Sequence, residues 1–183
     1  MTSAPALAAK LCPDLPAAER ARLEAIRYLG VVCTSVLRDR KLSDFYVTNI
    51  TDPGAPFTGV IEMTALVDPK EFGGRHLLYL PRYVTPDDDF PAQSDDEIHE
   101  RFVGSLERMY PSFGRDSIVA MKTSRVRYVM PIPTIDYSLK VSDIVTSLPG
   151  IFLANSSQII NGTLNVNETV QLADRAAAKV LAA

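Results

Sequence analysis

Between Asn155 and Asn167 the sequence places Asn155, Ser156, Ser157, Gln158, Asn161, Asn165 and Asn167 amid two apolar runs. Amides and hydroxyls at that density can hold the polar edge of a ligand; a plain connection needs only about two to six residues. A polar loop leading into a capped helix is the plainer account, and it explains Asn165 and Glu168 but not the whole run. Arg125 and Arg127 stand two apart in a strand-like pattern and so share one face. Such a pair can bind an anionic substrate bidentately, although a solvated strand face is the simpler account. His76 and His99 are isolated, with no second ligand at metal spacing, so they read as surface or structural and no metal site is expected. Asp87-Asp88-Asp89 reads as a solvated acidic loop. No Ser–His–Asp arrangement and no paired-carboxylate signature stands out, and the sequence names no catalytic residue.

The chain of 183 residues suits one domain with a real core, and 46% apolar with 22% charged residues is ordinary for a soluble globular protein. A net charge of −3 without a basic run argues against nucleic acid and anionic membranes as main partners. Cys12 and Cys33 fit two reduced thiols in a cytosolic protein, and a cytoplasmic location is expected. The start, MTSAPALAAKL, lacks the basic and apolar regions of a signal peptide, and no apolar run approaches the roughly 20 residues of a membrane span. Asn161-Gly162-Thr163 and Asn167-Glu168-Thr169 match the glycosylation pattern and are taken as chance.

The elements that must position these residues follow from local signals. Residues 1–12 are Ala-rich and read as a flexible, frayed N-terminus. Asp14 can cap a helix carrying Leu15, Leu23 and Ile26, ended by Gly30. Strands are expected at Val31–Leu37, Phe45–Ile50, Val60–Val67 and His76–Val84, the last with Pro81 at an edge or bulge. Ser94 and Glu97 form a capping box for a helix with Ile98, Phe102, Leu106 and Met109 on one face. One or two strands follow within SIVAMKTSRVRYVMPIP, with Tyr128 and Met130 on a core face opposite the arginines. Last come Pro149-Gly150, an apolar strand Ile151–Ala154, the polar loop, and a helix with Val166, Val170, Ala173, Ala177 and Val180 on one face. The class is α+β, a mostly antiparallel sheet of about five strands with flanking helices. The continuously apolar run Ile151–Ala154 suits a strand buried on both faces of a parallel sheet, one this chain does not itself supply.

That ending resembles the C-terminal portion of the flavin-containing amine oxidase superfamily, which includes protoporphyrinogen-oxidase-like and UDP-galactopyranose-mutase-like proteins. The resemblance is carried by Pro149-Gly150, Ile151 to Ala154, Asn155-Ser156 and the helix from about Val166. RYLGVVCTSVLRDRKLSDFYVTNITD and SRVRYVMPIPTIDY look like the substrate-domain strands that precede it. The resemblance implies that residues 149–183 are a terminal strand–loop–helix from a FAD-binding, Rossmann-like domain, and that residues 13–148 are a substrate-binding-type domain. It implies FAD as cofactor, with Asn155, Ser156, Asn165, Val166 and Asn167 on the flavin side and Arg125 and Arg127 on the substrate side. Asn155 and Ser156 stand where many members have glycine and an acid.

No G-x-G-x-x-G occurs in the chain, so the half of the fold that grips ADP is missing. The expectation is a C-terminal fragment or split subunit of a FAD-dependent oxidoreductase. Alone it would be inactive and would not retain FAD; its partners would be the missing N-terminal FAD-binding portion or subunit and a small-molecule substrate. Exposed apolar surface at Ile151, Phe152 and Leu153 would call for cover by a second copy, giving a homo-oligomer, or by a rearranged helix. The alternative is a stand-alone α+β binding or interaction module without cofactor.

Overall fold

The computed structural model describes residues 1–160, 162 and 164–183. Asn161 and Thr163, members of the polar loop and of the first glycosylation match, lie outside the described residues. Among the described residues the α-helices are α1 (Pro5–Leu11), α2 (Ala17–Glu24), α3 (Asp95–Met109), α4 (Tyr137–Lys140) and α5 (Val166–Leu181). The strands are β1 (Tyr28–Arg38), β2 (Val47–Asn49), β3 (Gly59–Glu62), β4 (His76–Val84) and β5 (Ile118–Pro131). They form one sheet of order β2-β3-β4-β1-β5. The β2–β3, β3–β4 and β4–β1 pairs are antiparallel, and the class is the expected α+β. Contacts divide the chain into two compact units, one of residues 1–29 with 128–183, the other of residues 30–127.

In the unit of residues 30–127, β1 alternates buried and half-buried positions along its length, as a strand with one covered face must. Val32 and Val36 pack with Leu78 and Leu80 of β4 and with Ile98, Phe102, Val103 and Leu106 of α3. The apolar spacing of α3 is thus its core face. Its start carries the expected box: the Ser94 hydroxyl accepts from the Glu97 N–H, and the Glu97 carboxylate accepts from the Ser94 N–H. Gly30 does not end a helix. It stands inside the sheet because a Cβ there would lie 2.8 Å from the Val126 carbonyl oxygen and 3.1 Å from Val84 Cγ2. Pro81 sits opposite Cys33 in β4, beyond the last residue that β3 pairs, so its missing N–H interrupts no β3–β4 bond. The third strand is shorter than its apolar run suggests, because the chain turns into a 3-10 helix at Met63–Ala65.

In the unit of residues 1–29 and 128–183, the expected frayed N-terminus is corrected. Residues 5–11 form α1, opened by Pro5 in its first turn, and Ala8 and Ala9 are buried against Cys12, Leu15, Leu23 and Leu153. Small side chains let that helix approach closely, which composition alone reads as disorder. Asp14 caps nothing: α2 starts after Pro16 with no side-chain cap. Tyr128 is not core but 59% exposed, making an edge-to-face contact with Tyr28 at 5.6 Å between ring centres. The apolar stripe of α5 is also uncovered among the described residues, with Val166, Val170 and Val180 exposed and only Leu172 buried. Cys12 and Cys33 are free thiols.

Candidate functional site: the closing turn and helix

The closing segment begins with a turn that needs its glycine. Gly150 has φ of 75°, the left-handed region, and the turn closes with the Ile151 N–H on the Leu148 carbonyl at 3.1 Å. Residues 151–154 then run extended. In place of a ladder they form one antiparallel bridge, Phe152 opposite Val145, with the Leu153 N–H on the Ile144 carbonyl at 2.8 Å. Leu153 is 1% exposed under α1.

Asn155 and Ser156 open a 3-10 turn, Ser156–Gln158. Asn155 Oδ1 accepts from the Ser157 N–H at 3.1 Å and from its hydroxyl at 2.6 Å, while the Asn155 N–H donates to Gln158 Oε1 at 2.9 Å. Gln158 Nε2 donates in turn to the carbonyls of Ser142 and Leu153, each at 3.1 Å. Tyr137 donates its hydroxyl to the Ser157 carbonyl at 2.9 Å. Burial pushes the Tyr137 phenol up to about 12, with the nearby Tyr28 adding to the rise. Burial also raises Tyr28, opposed by hydrogen bonds to the Ser156 and Ser157 hydroxyls. Much of the polar loop is therefore spent on holding its own shape. The i, i+2 and i, i+3 spacing of Asn155, Ser157 and Gln158 carries that signal.

Asn165, Val166 and Asn167 form the second group. Asn165 caps α5, its Oδ1 accepting from the Glu168 N–H at 3.0 Å and its carbonyl from the Thr169 N–H at 3.1 Å. The N–H groups of Val166 and Asn167 lie ahead of the first intrahelical bond, and Val166 is 77% exposed. A cleft of about 880 Å³ runs along α5, with Ser142, Asp143, Gln158, Glu168, Arg175 and Lys179 among its lining. It mixes both charge signs, so it selects neither a simple anion nor a simple cation.

The two arginines differ in their surroundings. Arg125 is tied to the entry of α3, donating to the Pro91 carbonyl at 2.9 Å, the Gln93 carbonyl at 2.8 Å and Asp95 Oδ1 at 2.6 Å. Arg127 is exposed and has no partner among the described residues. His76 meets Thr64, and His99 meets Thr123; among the described residues no group of three His, Cys, Asp or Glu side chains could hold a metal. The acidic run is only partly solvated, since Asp88 turns in to accept from the Phe90 N–H at 2.8 Å and to face Arg82 at 3.5 Å.

Two buried charges escaped the sequence reading. Arg38 is 1% exposed, donates twice to Ser117 Oγ at 3.0 and 2.8 Å, and lies 4.7 Å over the Phe113 ring. Glu62 is 0% exposed and accepts from the Leu42 N–H at 3.1 Å and from the Thr64 hydroxyl. Burial lowers the Arg38 guanidinium, and Glu62 partly restores it. The period-2 parity of Arg38 with Val32 and Val36 points it inward, a signal masked by the polar turn that follows.

No family model matches the sequence, and no curated protein matches it. Among solved structures, a protein from Exiguobacterium sp. 255-15 named for protoporphyrinogen oxidase matches 100% of this chain at a TM-score of 0.72 and 13% identity. An oxidoreductase from Methanosarcina mazei matches 97% of it at 0.68 and 17% identity, and a putrescine oxidase matches 100% at 0.69 and 15% identity. This chain shares its fold with part of each of these three structures. It spans only 40% of the Exiguobacterium protein and 42% of each of the other two.

A flavin, which the resemblance of the closing segment implies, meets a partial fit here. The open N–H groups of Val166 and Asn167, at the positive end of α5, suit an electron-rich ring edge. The sequence has no glycine-rich phosphate turn, and the Asn155 side-chain Oδ1 is engaged by Ser157. The residues present fit one edge of a flavin and not its diphosphate.

Proposed function

We propose that this chain is the substrate-domain part of a FAD-dependent oxidoreductase of the amine oxidase type, contributing one contact to the flavin through the start of α5. The reading is carried by the match of the whole chain to about two fifths of the length of such structures. Asn165 fixes the first turn, and the N–H groups of Val166 and Asn167 would hold an electron-rich edge of the flavin. Asn155 and Ser156 act one step back, with Ser157 and Gln158, by holding the turn that precedes the helix. The flavin, once bound, supplies the hydride chemistry; the chain orients it and favours negative charge at that edge. A separate dinucleotide-binding portion grips the diphosphate. Arg127 is the better of the two arginines to meet an anionic substrate, since Arg125 is engaged elsewhere.

The test has two parts. The purified chain is expected to show no flavin bands near stoichiometric occupancy. Titration with millimolar FMN, followed by amide chemical shifts, is expected to move Val166 and Asn167 first. Shifts confined to other residues would remove α5 from the flavin site. They would favour a cofactor-free binding module, to which the self-satisfied turn at Asn155–Gln158 also lends itself.

A further inference from the structure

Within the unit of residues 30–127, Arg38 and Arg125 spend their donors in bonds of 2.6 to 3.0 Å. Arg82 does not. Its side chain is only 29% exposed, yet its two polar contacts are both at 3.5 Å, Nη1 to the Pro56 carbonyl and Nη2 to Asp88 Oδ2. Its Nε is buried without a partner. The guanidinium lies 4.4 Å over the Phe90 ring, which fixes its plane but satisfies none of its N–H groups. A cation drawn out of water with its donors so little used carries a desolvation cost that nothing in the fold offsets.

Arg82 stands at a gap left by the sheet. The β3–β4 pairing ends at Ile61 opposite Tyr79, and beyond it the β2–β3 loop, residues 50–58, takes the place beside β4. A hairpin needs only about two to five loop residues. This longer loop is held in shape at its base and at its tip. The Ile50 N–H donates to the Thr58 carbonyl at 3.1 Å, and the Thr58 N–H and hydroxyl donate to the Pro81 carbonyl at 2.8 and 2.9 Å. At the tip the Gly54 N–H donates to Asp52 Oδ1 at 2.8 Å, and the Ala55 N–H to the Asp52 carbonyl at 3.1 Å. Between loop and strand lies a cavity of about 290 Å³, with Ile50, Asp52, Phe57, Arg82 and Tyr83 in its lining.

That lining has one cation, one anion and an apolar wall. The Arg82 fork suits a carboxylate. Asp52 keeps Oδ2 without a partner among the described residues, which suits an ammonium group. A simple anion would meet Asp52 and Asp88, and a simple cation would meet Arg82; a molecule carrying both charges meets neither penalty. We propose that this cavity binds a small amino carboxylate, its carboxylate on the Nη donors of Arg82, its ammonium on Asp52 and its apolar body against Ile50, Phe57 and Tyr83. The site needs no flavin and does not rest on the function proposed above.

Amide spectra of the isotope-labelled chain test it. The probes are 4-aminobutanoate and 6-aminohexanoate, which differ in charge spacing, with hexanoate and hexylamine as single-charge controls. At least one zwitterion is expected to move the Thr51, Phe57 and Tyr83 amides saturably, and to bind about fivefold or more tightly than either control. Asp52→Asn keeps the turn, because an amide oxygen still accepts from the Gly54 N–H, and removes the charge. In that variant the preference for the zwitterion over hexanoate should vanish while the fold signals stay in place. No saturable shift with any probe would leave the cavity to water and overturn the proposal. Hexanoate binding as tightly as the zwitterions, or a preference that survives Asp52→Asn, would overturn it equally. The FMN titration reads the start of α5, so failure there and failure here are told apart.

Discussion

Tyr137 and Ser157, twenty residues apart, are joined by a hydrogen bond of 2.9 Å from the phenol to the main-chain carbonyl, and both are buried. This bond ties α4 to the turn that Asn155 caps, so the closing loop has a fixed anchor.

That anchor predicts a pH dependence. The Tyr137 pKa is raised to about 12 from an unfolded value of 10.0, so the folded state holds its proton more tightly. The associated stability is fully present below pH 10 and is lost as pH rises towards 12. Urea unfolding between pH 9 and 12, with phenolate absorbance as the titration signal, should show this decline. Tyr137→Phe should flatten it and cost about 1 kcal/mol at neutral pH for the lost hydrogen bond. An unchanged alkaline slope in the variant would assign the decline to other groups.

Gly30→Ala should destabilise the sheet by about 1–3 kcal/mol through overpacking. The added methyl meets the Val126 carbonyl at 2.8 Å, and a main-chain oxygen cannot turn away. Chemical denaturation gives the comparison. A neutral variant would mean that β1 and β5 separate freely at this point.

Arg38→Met should cost about 3 kcal/mol, because it removes the Ser117 and Phe113 contacts and a cation within electrostatic reach of the buried Glu62. Adding Glu62→Gln should recover a substantial part of the loss, since the remaining group is then neutral. A double variant no more stable than the single one would place the cost in the Ser117 and Phe113 contacts of Arg38 instead.

Asn165→Ala should cost about 1 kcal/mol by removing the α5 cap. Asn167→Pro is expected to leave the melting temperature nearly unchanged, because a first-turn N–H has no intrahelical partner. It should nevertheless abolish the FMN-induced shift at that end of α5. A lowered melting temperature with an intact flavin response would separate the helix start from the ring.

The most readable parts of the chain were those whose causes lie within about four residues. Ser94 and Glu97 announce α3, its apolar spacing gives the face that packs on Val32 and Leu80, and Asn165 announces α5. Both ends of β4 follow from an apolar run closed by turn residues. These signals are local because a cap or a turn satisfies its own neighbours' N–H groups.

What lies opposite a residue was settled by tertiary structure alone. Gly30 reads locally as a helix stop, but the Val126 carbonyl crosses it; Arg38 reads as part of a turn, but Ser117 and Phe113 close around it. Residues 5–11 read locally as frayed, but Ala8 and Ala9 pack against Leu153. The polar loop kept its chemistry in the sequence, but whether each amide faces a ligand or its own backbone depended on how the turn closed. Hydrogen-bond capacity is a property of residue type. Its use depends on which groups the fold brings within about 3 Å, and for Met1 and Ala154 those groups are 153 residues apart in the chain numbering.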